Sequence, residues 1–243
     1  MRGLGREGRH FGDFVKVFAR RFPGARVVVL DLPGVASAAD HVAPLGVEAM
    51  VRDLRERFLA LDLPGPRGLL GISLGGMCAL EWVSRHPTDF EATLVGCASA
   101  ANLSAPFHRL MPRNLGHLRR AARAKSSVER ELALLPMSST QHAGNRALAE
   151  EWAAYAEESP IPPSVVARQL GAGLRFRAPK TLPVPALFAV GARDRFVSPR
   201  CSERLAAHYR APLAIHPEAG HDLSLDAPEW LADRAAALWK DLP

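Results

Sequence analysis

The five residues 71–75, Gly-Ile-Ser-Leu-Gly, constrain the fold of this 243-residue chain more than any other stretch. An apolar run precedes them and a helical pattern of apolar residues follows, which predicts a strand, a sharp turn and a helix. Glycines on both sides allow a turn so tight that the hydroxyl of Ser73 stands clear of the sheet. The free N–H groups of the following helix would stabilise negative charge there, so this serine could act as a nucleophile. A glycine-rich turn with an incidental serine is the alternative, so the interpretation requires partner residues.

Composition favours one large domain, or a core with an insertion. Hydrophobic residues make up 48% and charged residues 23% of the chain, as in ordinary globular proteins. The net charge of +6 would suit an acidic partner, but a whole-chain figure is a weak argument. Cys78, Cys97 and Cys201 stand singly, without metal-ligand spacing, which predicts reduced thiols in a cytoplasmic protein. No apolar run reaches the ~18 residues of a membrane helix and no secretory signal is recognisable, so no membrane partner is expected.

Strand-like and helix-like segments alternate through most of the chain. Continuous apolar runs predict strands at residues 26–32, 69–72, 92–97, 186–190 and 213–216. Apolar residues at helical spacing predict helices at residues 10–21 and 47–58, after Ser73, after Ser198 with Pro199 at its first position, and from about Asp226. This alternation predicts an α/β protein whose mostly parallel sheet is covered by helices on both faces.

The alternation lapses after about Ala98, where only helical patterns occur. Ser126 and Glu129 predict a capping box at the start of one helix, and further helices are predicted around Trp152 and Leu170. We therefore divide the chain into a first part of the core at residues 1–98, a helical insertion at 99–180 and a second part of the core at 181–243.

Two loops offer partners for Ser73. Asp194 follows the predicted strand at 186–190 and His221 follows the one at 213–216, so both are expected at the carboxyl edge of the sheet. Each alone is commonly a turn or loop residue, but together they suit a nucleophile, base and acid. The loop after residues 92–97 reads Cys-Ala-Ser and offers no carboxylate, which favours Asp194 as the acid. Asp222 adjoins the base, but its side chain is expected to point away.

A serine in such a turn, followed along the chain by Asp and His, resembles the α/β-hydrolase superfamily. The chain looks most like small capped serine esterases, such as carboxylesterases and pimeloyl-carrier-protein methyl esterase-like hydrolases. The similarity covers nearly the whole chain and includes Asp-Leu-Pro-Gly at residues 31–34, and the helical insertion falls where such enzymes carry a cap. The resemblance implies the α/β-hydrolase fold with an inserted helical cap.

It also implies a serine hydrolase that cleaves a carboxylic ester or thioester through an acyl-enzyme. His221 would take the proton of Ser73, and Asp194 would hold the imidazole in the required tautomer. By similarity, the backbone N–H groups of Leu74 and Leu4 would bind the oxyanion. No metal or organic cofactor is required.

The N-terminal segment departs from the family pattern. Arg2-Gly3 stands where the family usually has His-Gly, and no strand precedes it. We therefore expect the N-terminal strands to be missing from the sequence as it starts here. This departure keeps an alternative open, in which the fold serves ligand binding or a receptor-like role with little or no turnover.

A basic segment lies in the first half of the predicted cap. Between Glu91 and Glu129 there is no acidic residue, whereas the basic residues are Arg109, Arg113, Arg119, Arg120, Arg123 and Lys125. A solvated helix face is the simpler interpretation. The sharper one is a docking surface for an acidic substrate, such as an acyl group on a phosphopantetheine carrier protein, beside a small-molecule ester or thioester as the ordinary substrate. Nucleic acid is not expected as a partner, because no recognition motif is present.

Overall fold

One parallel sheet organises the computed structural model, which describes residues 1–240. Its four strands are adjacent in chain order. They are β1 Gly68–Ile72, β2 Ala92–Gly96, β3 Ala186–Gly191 and β4 Leu213–His216. The register pairs Ile72 with Gly96 and Gly96 with Ala189, so the carboxyl ends of the strands meet at one edge. The predicted parallel α/β fold is confirmed.

Helices cover both faces of this sheet. Those of the core are α1 Phe14–Arg21, α2 Val47–Leu59, α3 Leu74–Arg85, α9 Arg200–Tyr209, α10 Leu223–Asp226 and α11 Pro228–Trp239. Helices α2, α3 and α9 pack on the face that bears Leu69 and Val95, whereas α1 and α11 pack on the face that bears Leu70 and Leu94. Successive strand residues point to opposite faces, so a strand covered on both sides is apolar throughout.

Five further helices lie between β2 and β3. They are α4 Pro106–Arg109, α5 Leu115–Arg123, α6 Ser127–Ser138, α7 Arg146–Glu158 and α8 Pro163–Arg175. As the capping pattern suggested, the Ser126 hydroxyl accepts a hydrogen bond from the Glu129 N–H at 3.2 Å. The ends of this segment are held together, because the Asn102 side chain accepts from the Ala178 N–H at 2.8 Å and donates to its carbonyl at 3.1 Å. The segment thus leaves and rejoins the core at one place.

The prediction of a strand at residues 26–32 is wrong. None of these residues is in a strand. A groove of about 650 Å³ separates Val27, Val28 and Val29 from Leu69 and Leu70 of β1. A run of β-branched residues forms a strand only when a neighbouring strand lies about 5 Å away and exchanges backbone hydrogen bonds with it. With the groove between them, this run and β1 do not pair.

Met1 occupies one end of that edge of β1. Its ammonium group donates to the Leu70 carbonyl at 2.8 Å, and the Ile72 N–H donates to the Met1 carbonyl at 3.1 Å. Met1 therefore bonds to β1 as one residue of a parallel neighbour would. Burial, with a contribution from the Arg2 cation, lowers the pKa of this amine from 8.0 to about 5.

Smaller differences concern helix boundaries and one arginine. The helix predicted at residues 10–21 is a short 3₁₀ turn followed by α1, because Gly12 between them has a φ of 51°. Helix α9 begins one residue later than predicted, with Pro199 preceding it. Arg109 is buried, with guanidinium hydrogen bonds to the carbonyls of Gly173 and Leu174, and burial lowers its pKa. It therefore does not belong to an exposed basic surface.

No helix in residues 1–240 has the length and apolarity needed to cross a membrane.

Candidate active site

Ser73 occupies the turn between β1 and α3. Its backbone has φ 58° and ψ −118°, a strained conformation for a residue with a side chain. The turn is held by the Ser73 N–H, which donates to the Gly96 carbonyl at 2.7 Å. A Cβ on Gly75 would lie 2.5 Å from the Arg2 carbonyl oxygen, so the segment tolerates only glycine there. The sequence pattern thus produces the expected sharp turn at the carboxyl edge of the sheet, with Ser73 at its tip.

The structure brings Ser73, His221 and Asp194 together. His221 Nε2 lies 2.9 Å from Ser73 Oγ, and His221 Nδ1 lies 2.7 Å from Asp194 Oδ2. The other oxygen of Asp194 accepts hydrogen bonds from the N–H groups of Phe196 and Val197 at 2.8 and 2.9 Å. These two N–H donors fix the direction of the carboxyl group. All three side chains are buried, with 8% of Ser73 and 6% of His221 exposed.

The two predicted oxyanion donors lie on segments that meet at Ser73. A Cβ on Gly3 would be 3.0 Å from Ser73 Cβ and 3.3 Å from its Oγ, which places the turn at residues 3–5 against the nucleophile. Neither the Leu4 N–H nor the Leu74 N–H donates a hydrogen bond to any of residues 1–240. Buried backbone donors are rarely left unpaired. Both N–H groups are thus free to donate to a ligand, and their role stays a prediction.

Sequence reasoning missed an ion pair behind this turn. The Arg2 guanidinium donates to both oxygens of Asp222, at 2.9 and 2.5 Å, and to the Ser224 hydroxyl at 2.6 Å. Both charged side chains are almost fully buried. Although burial acts to raise it, the charge and hydrogen bonds of Arg2 and the hydroxyl of Ser224 lower the pKa of Asp222 to about 2. Asp222 does point away from the triad, as expected, and it ties the His221 loop to the turn at residues 3–5.

A residue of α8 holds the other side of the same turn. The Gln169 side chain of α8 is fully buried, and its carbonyl oxygen accepts from the Gly5 N–H at 3.0 Å. Its amide donates to the Pro33 carbonyl at 3.4 Å. The contact spans 164 positions along the chain, and Gln169 stands in no motif, so no sequence signal could have found it.

Asp226 connects the His221 loop to the helical segment between β2 and β3. One of its carboxylate oxygens accepts from the Gly220 N–H at 2.7 Å and from the Thr140 N–H at 2.9 Å. The N–H of Asp222 donates to the carbonyl of Ser138 at 2.7 Å. The sequence pattern predicts Asp226 only as the start of a helix and gives no sign of these contacts. The position of the base thus depends on contacts with the end of α6.

Cys97 is the remaining titratable group beside the triad. Ligand atoms of Cys97, Asp194 and His221 lie within 4.8 Å of one another, a spacing that could suit a metal ion. However, both nitrogens of His221 already face Ser73 and Asp194. Burial, and secondarily the charge of Asp194, raises the pKa of the Cys97 thiol well above its usual value, and a metal-ligating cysteine is a thiolate. The cluster is therefore better suited to proton transfer than to metal binding.

The family follows from a sequence comparison. The alpha/beta hydrolase family model matches residues 2–234, and the chain belongs to that family. No curated protein sequence matches the chain.

Solved structures resemble the chain over almost its whole length. A candidate non-haem bromoperoxidase from Mycobacterium tuberculosis H37Rv is 18% identical, with 100% of this chain and 91% of that one covered and a TM-score of 0.78. A thermophilic esterase from Thermogutta terrifontis is 19% identical, with 98% and 87% covered and a TM-score of 0.74. A mutant meta-cleavage product hydrolase from Pseudomonas fluorescens IP01 is 17% identical, with 99% and 88% covered and a TM-score of 0.77. Their resemblance establishes the fold.

Proposed function

We propose that this protein is a serine hydrolase that cleaves a carboxylic ester or thioester through an acyl-enzyme. The observation that carries the proposal is the continuous hydrogen-bonded set of Ser73 Oγ, the His221 ring and Asp194 Oδ2, with separations of 2.9 and 2.7 Å. A nucleophile, a base in contact with it and an acid that orients the base are the parts this reaction needs.

The proton movements follow from these contacts. The Ser73 hydroxyl donates its proton to His221 Nε2 as its oxygen attacks the acyl carbonyl carbon. Asp194 accepts from His221 Nδ1–H, which keeps Nε2 free as the base and stabilises the imidazolium that forms. The imidazolium then protonates the leaving alcohol or thiol. Water, deprotonated by His221, attacks the acyl-enzyme and releases the acid and Ser73.

The oxyanion donors complete the proposed mechanism. The negative charge on the carbonyl oxygen develops beside the N-terminus of α3, where the N–H of Leu74 has no other acceptor among the described residues. Leu4 would supply the second N–H, across Gly3 from the nucleophile. Ester and thioester cleavage needs no group beyond these residues and water.

Turnover of p-nitrophenyl esters of graded chain length tests the proposal. Ser73→Ala, His221→Ala and the double variant should each lower kcat by a similar factor, on the order of 10³ to 10⁶, because triad residues act as a unit. Ser84→Ala and His86→Ala serve as controls on the same helix and at its end, and they should retain full activity. Losses that multiply in the double variant, or an active Ser73→Ala protein, would contradict the assignment.

Ligand binding with little turnover is the second candidate function. It is favoured by the burial of Ser73 and His221, which are only 8% and 6% exposed. A fluorophosphonate probe separates the two, because it reacts with an activated serine and not with a pocket alone. Labelling that requires both Ser73 and His221 supports the hydrolase, whereas an unlabelled, folded protein supports the binding role.

A further inference from the structure

Helix α5 stands apart from the rest of the fold because none of its residues is buried. It nevertheless carries leucines, with 62% of Leu115 and 36% of Leu118 exposed, and Phe107 in the preceding helix α4 is 58% exposed. Surface helices usually turn their apolar residues toward the core. Exposed apolar side chains that lie together are typical of interaction sites.

The same helix and the residues on either side of it carry unpaired positive charge. No ion pair within residues 1–240 involves Arg113, Arg119, Arg120, Arg123 or Lys125. By contrast, Arg55 and Arg57 of α2 pair with Asp89 and Asp53. Three of the cations, Arg119, Arg120 and Arg123, line a groove of about 700 Å³ between α5 and α6, together with Leu132 and a single carboxylate, Glu129. We call α5 and this groove the basic cap surface.

The basic cap surface lies next to the candidate active site. The Asn114 side chain, which immediately precedes α5, donates to the Arg195 carbonyl at 2.8 Å. The Met111 N–H donates to the Phe196 carbonyl at 3.1 Å. The Phe196 ring in turn packs edge-on against the His221 ring, with centroids 4.9 Å apart. One layer of side chains therefore separates the start of α5 from the base.

We propose that the basic cap surface docks an acidic protein that presents the acyl ester or thioester to Ser73. The inference rests on the proposed function, because the docked partner is the carrier of the substrate. Carboxylates on such a protein would pair with Arg119, Arg120 and Arg123, and its apolar side chains would cover Leu115 and Leu118. A planar lipid surface would not fill the concave groove. A nucleic acid backbone would leave the leucines uncovered.

The experiment compares one acyl group with and without an acidic protein attached. The probes are a butyryl thioester on the phosphopantetheine arm of an acyl carrier protein and free butyryl-pantetheine. The variant is R119E/R120E/R123E. The control is R26E/R52E/K240E, which makes the same change in net charge away from the cap. These three exposed cations form no ion pair with any of residues 1–240.

The cap variant should lower kcat/KM for the carrier-bound thioester about 10-fold to 100-fold and leave butyryl-pantetheine unchanged. The control variant should leave both unchanged. Added salt should weaken turnover of the carrier-bound substrate only, because exposed charge pairs are screened. An equal response of both substrates, or an unaffected cap variant, would overturn the proposal.

Binding measured with Ser73→Ala protein separates this proposal from the proposed function. Carrier protein bound by Ser73→Ala and lost in the cap variant supports docking even if butyryl-pantetheine is not hydrolysed. Failure to bind the carrier overturns docking even if small esters are hydrolysed. Binding of duplex DNA or anionic vesicles instead of the carrier, with the same sensitivity to charge reversal, would also overturn it.

Discussion

At the scale of single residues, the pairing of Arg2 with Asp222 links two loops that the triad depends on. Asp222 lies beside the base, and Arg2 lies beside the glycine that packs on Ser73. Removing one partner of a buried pair leaves an uncompensated charge. Asp222→Asn should therefore lower the free energy of unfolding by about 3 to 5 kcal/mol, measured by urea denaturation at pH 7.

The pH dependence supplies a sharper criterion. The pKa of Asp222 is about 2 in the fold against 3.8 ordinarily, so its stabilising contribution is present above pH 4 and is lost toward pH 2. The difference between wild type and Asp222→Asn should shrink over this range. Asp13→Asn, at an exposed pair with Lys16, should leave stability unchanged. A difference that does not shrink between pH 4 and pH 2 would argue against the ion pair as its cause.

At the scale of elements, α8 closes over the turn that carries Leu4. Gln169 holds the Gly5 N–H, which is the peptide group next to the proposed oxyanion donor. Gln169→Met should loosen this turn and lower kcat roughly 10-fold to 100-fold with little change in KM, because the donor acts mainly in the transition state.

Asn102→Leu is the matched control for Gln169→Met. It also removes a side chain that forms two hydrogen bonds, but at the base of the inserted segment and away from the turn. It should affect stability and leave kcat unchanged. If both variants lower kcat equally, the effect of Gln169 is on folding and not on the position of the donor.

At the scale of the whole molecule, the amine of Met1 makes stability depend on pH. Its pKa is 8.0 ordinarily and about 5 in the fold, so the unfolded chain binds the extra proton between these values. The free energy of unfolding should rise with pH in this window, by about 3 kcal/mol from pH 5 to 8. Chemical denaturation of the chain that begins at Met1 measures this.

Burial of His10 adds to the same trend at lower pH. Burial lowers its pKa from 6.5 to about 2, so its contribution is nearly complete above pH 7 and is lost progressively below it. The interval from pH 7 to 8 therefore reports the amine, with an expected rise of roughly 1 kcal/mol. Nα-acetylation should abolish this rise and retain the slope below pH 6.5. An unchanged profile after acetylation would exclude the amine.

Local sequence patterns predicted the elements that are specified by signals within a few residues of each other. The strand at residues 213–216 and the helix after Ser73 appear as predicted, because apolar periodicity, glycines and prolines act over a few residues. The run at residues 26–32 has equal strand propensity and still forms none. A strand forms only beside another strand with which it can exchange hydrogen bonds. The tertiary structure shows that a groove lies between this run and β1, which a local pattern cannot reveal.

The catalytic candidates were predictable from local patterns, since Ser73, Asp194 and His221 each follow a strand and parallel strands end at one edge. The residues that support them were not predictable, because they come from distant parts of the chain. The contacts of Arg2 with Asp222 and of Gln169 with Gly5 span 220 and 164 positions. Pairing over such distances depends on how separately formed elements pack, and no local pattern encodes it. The same packing left α5 without a buried face, which a run of basic residues alone could not reveal.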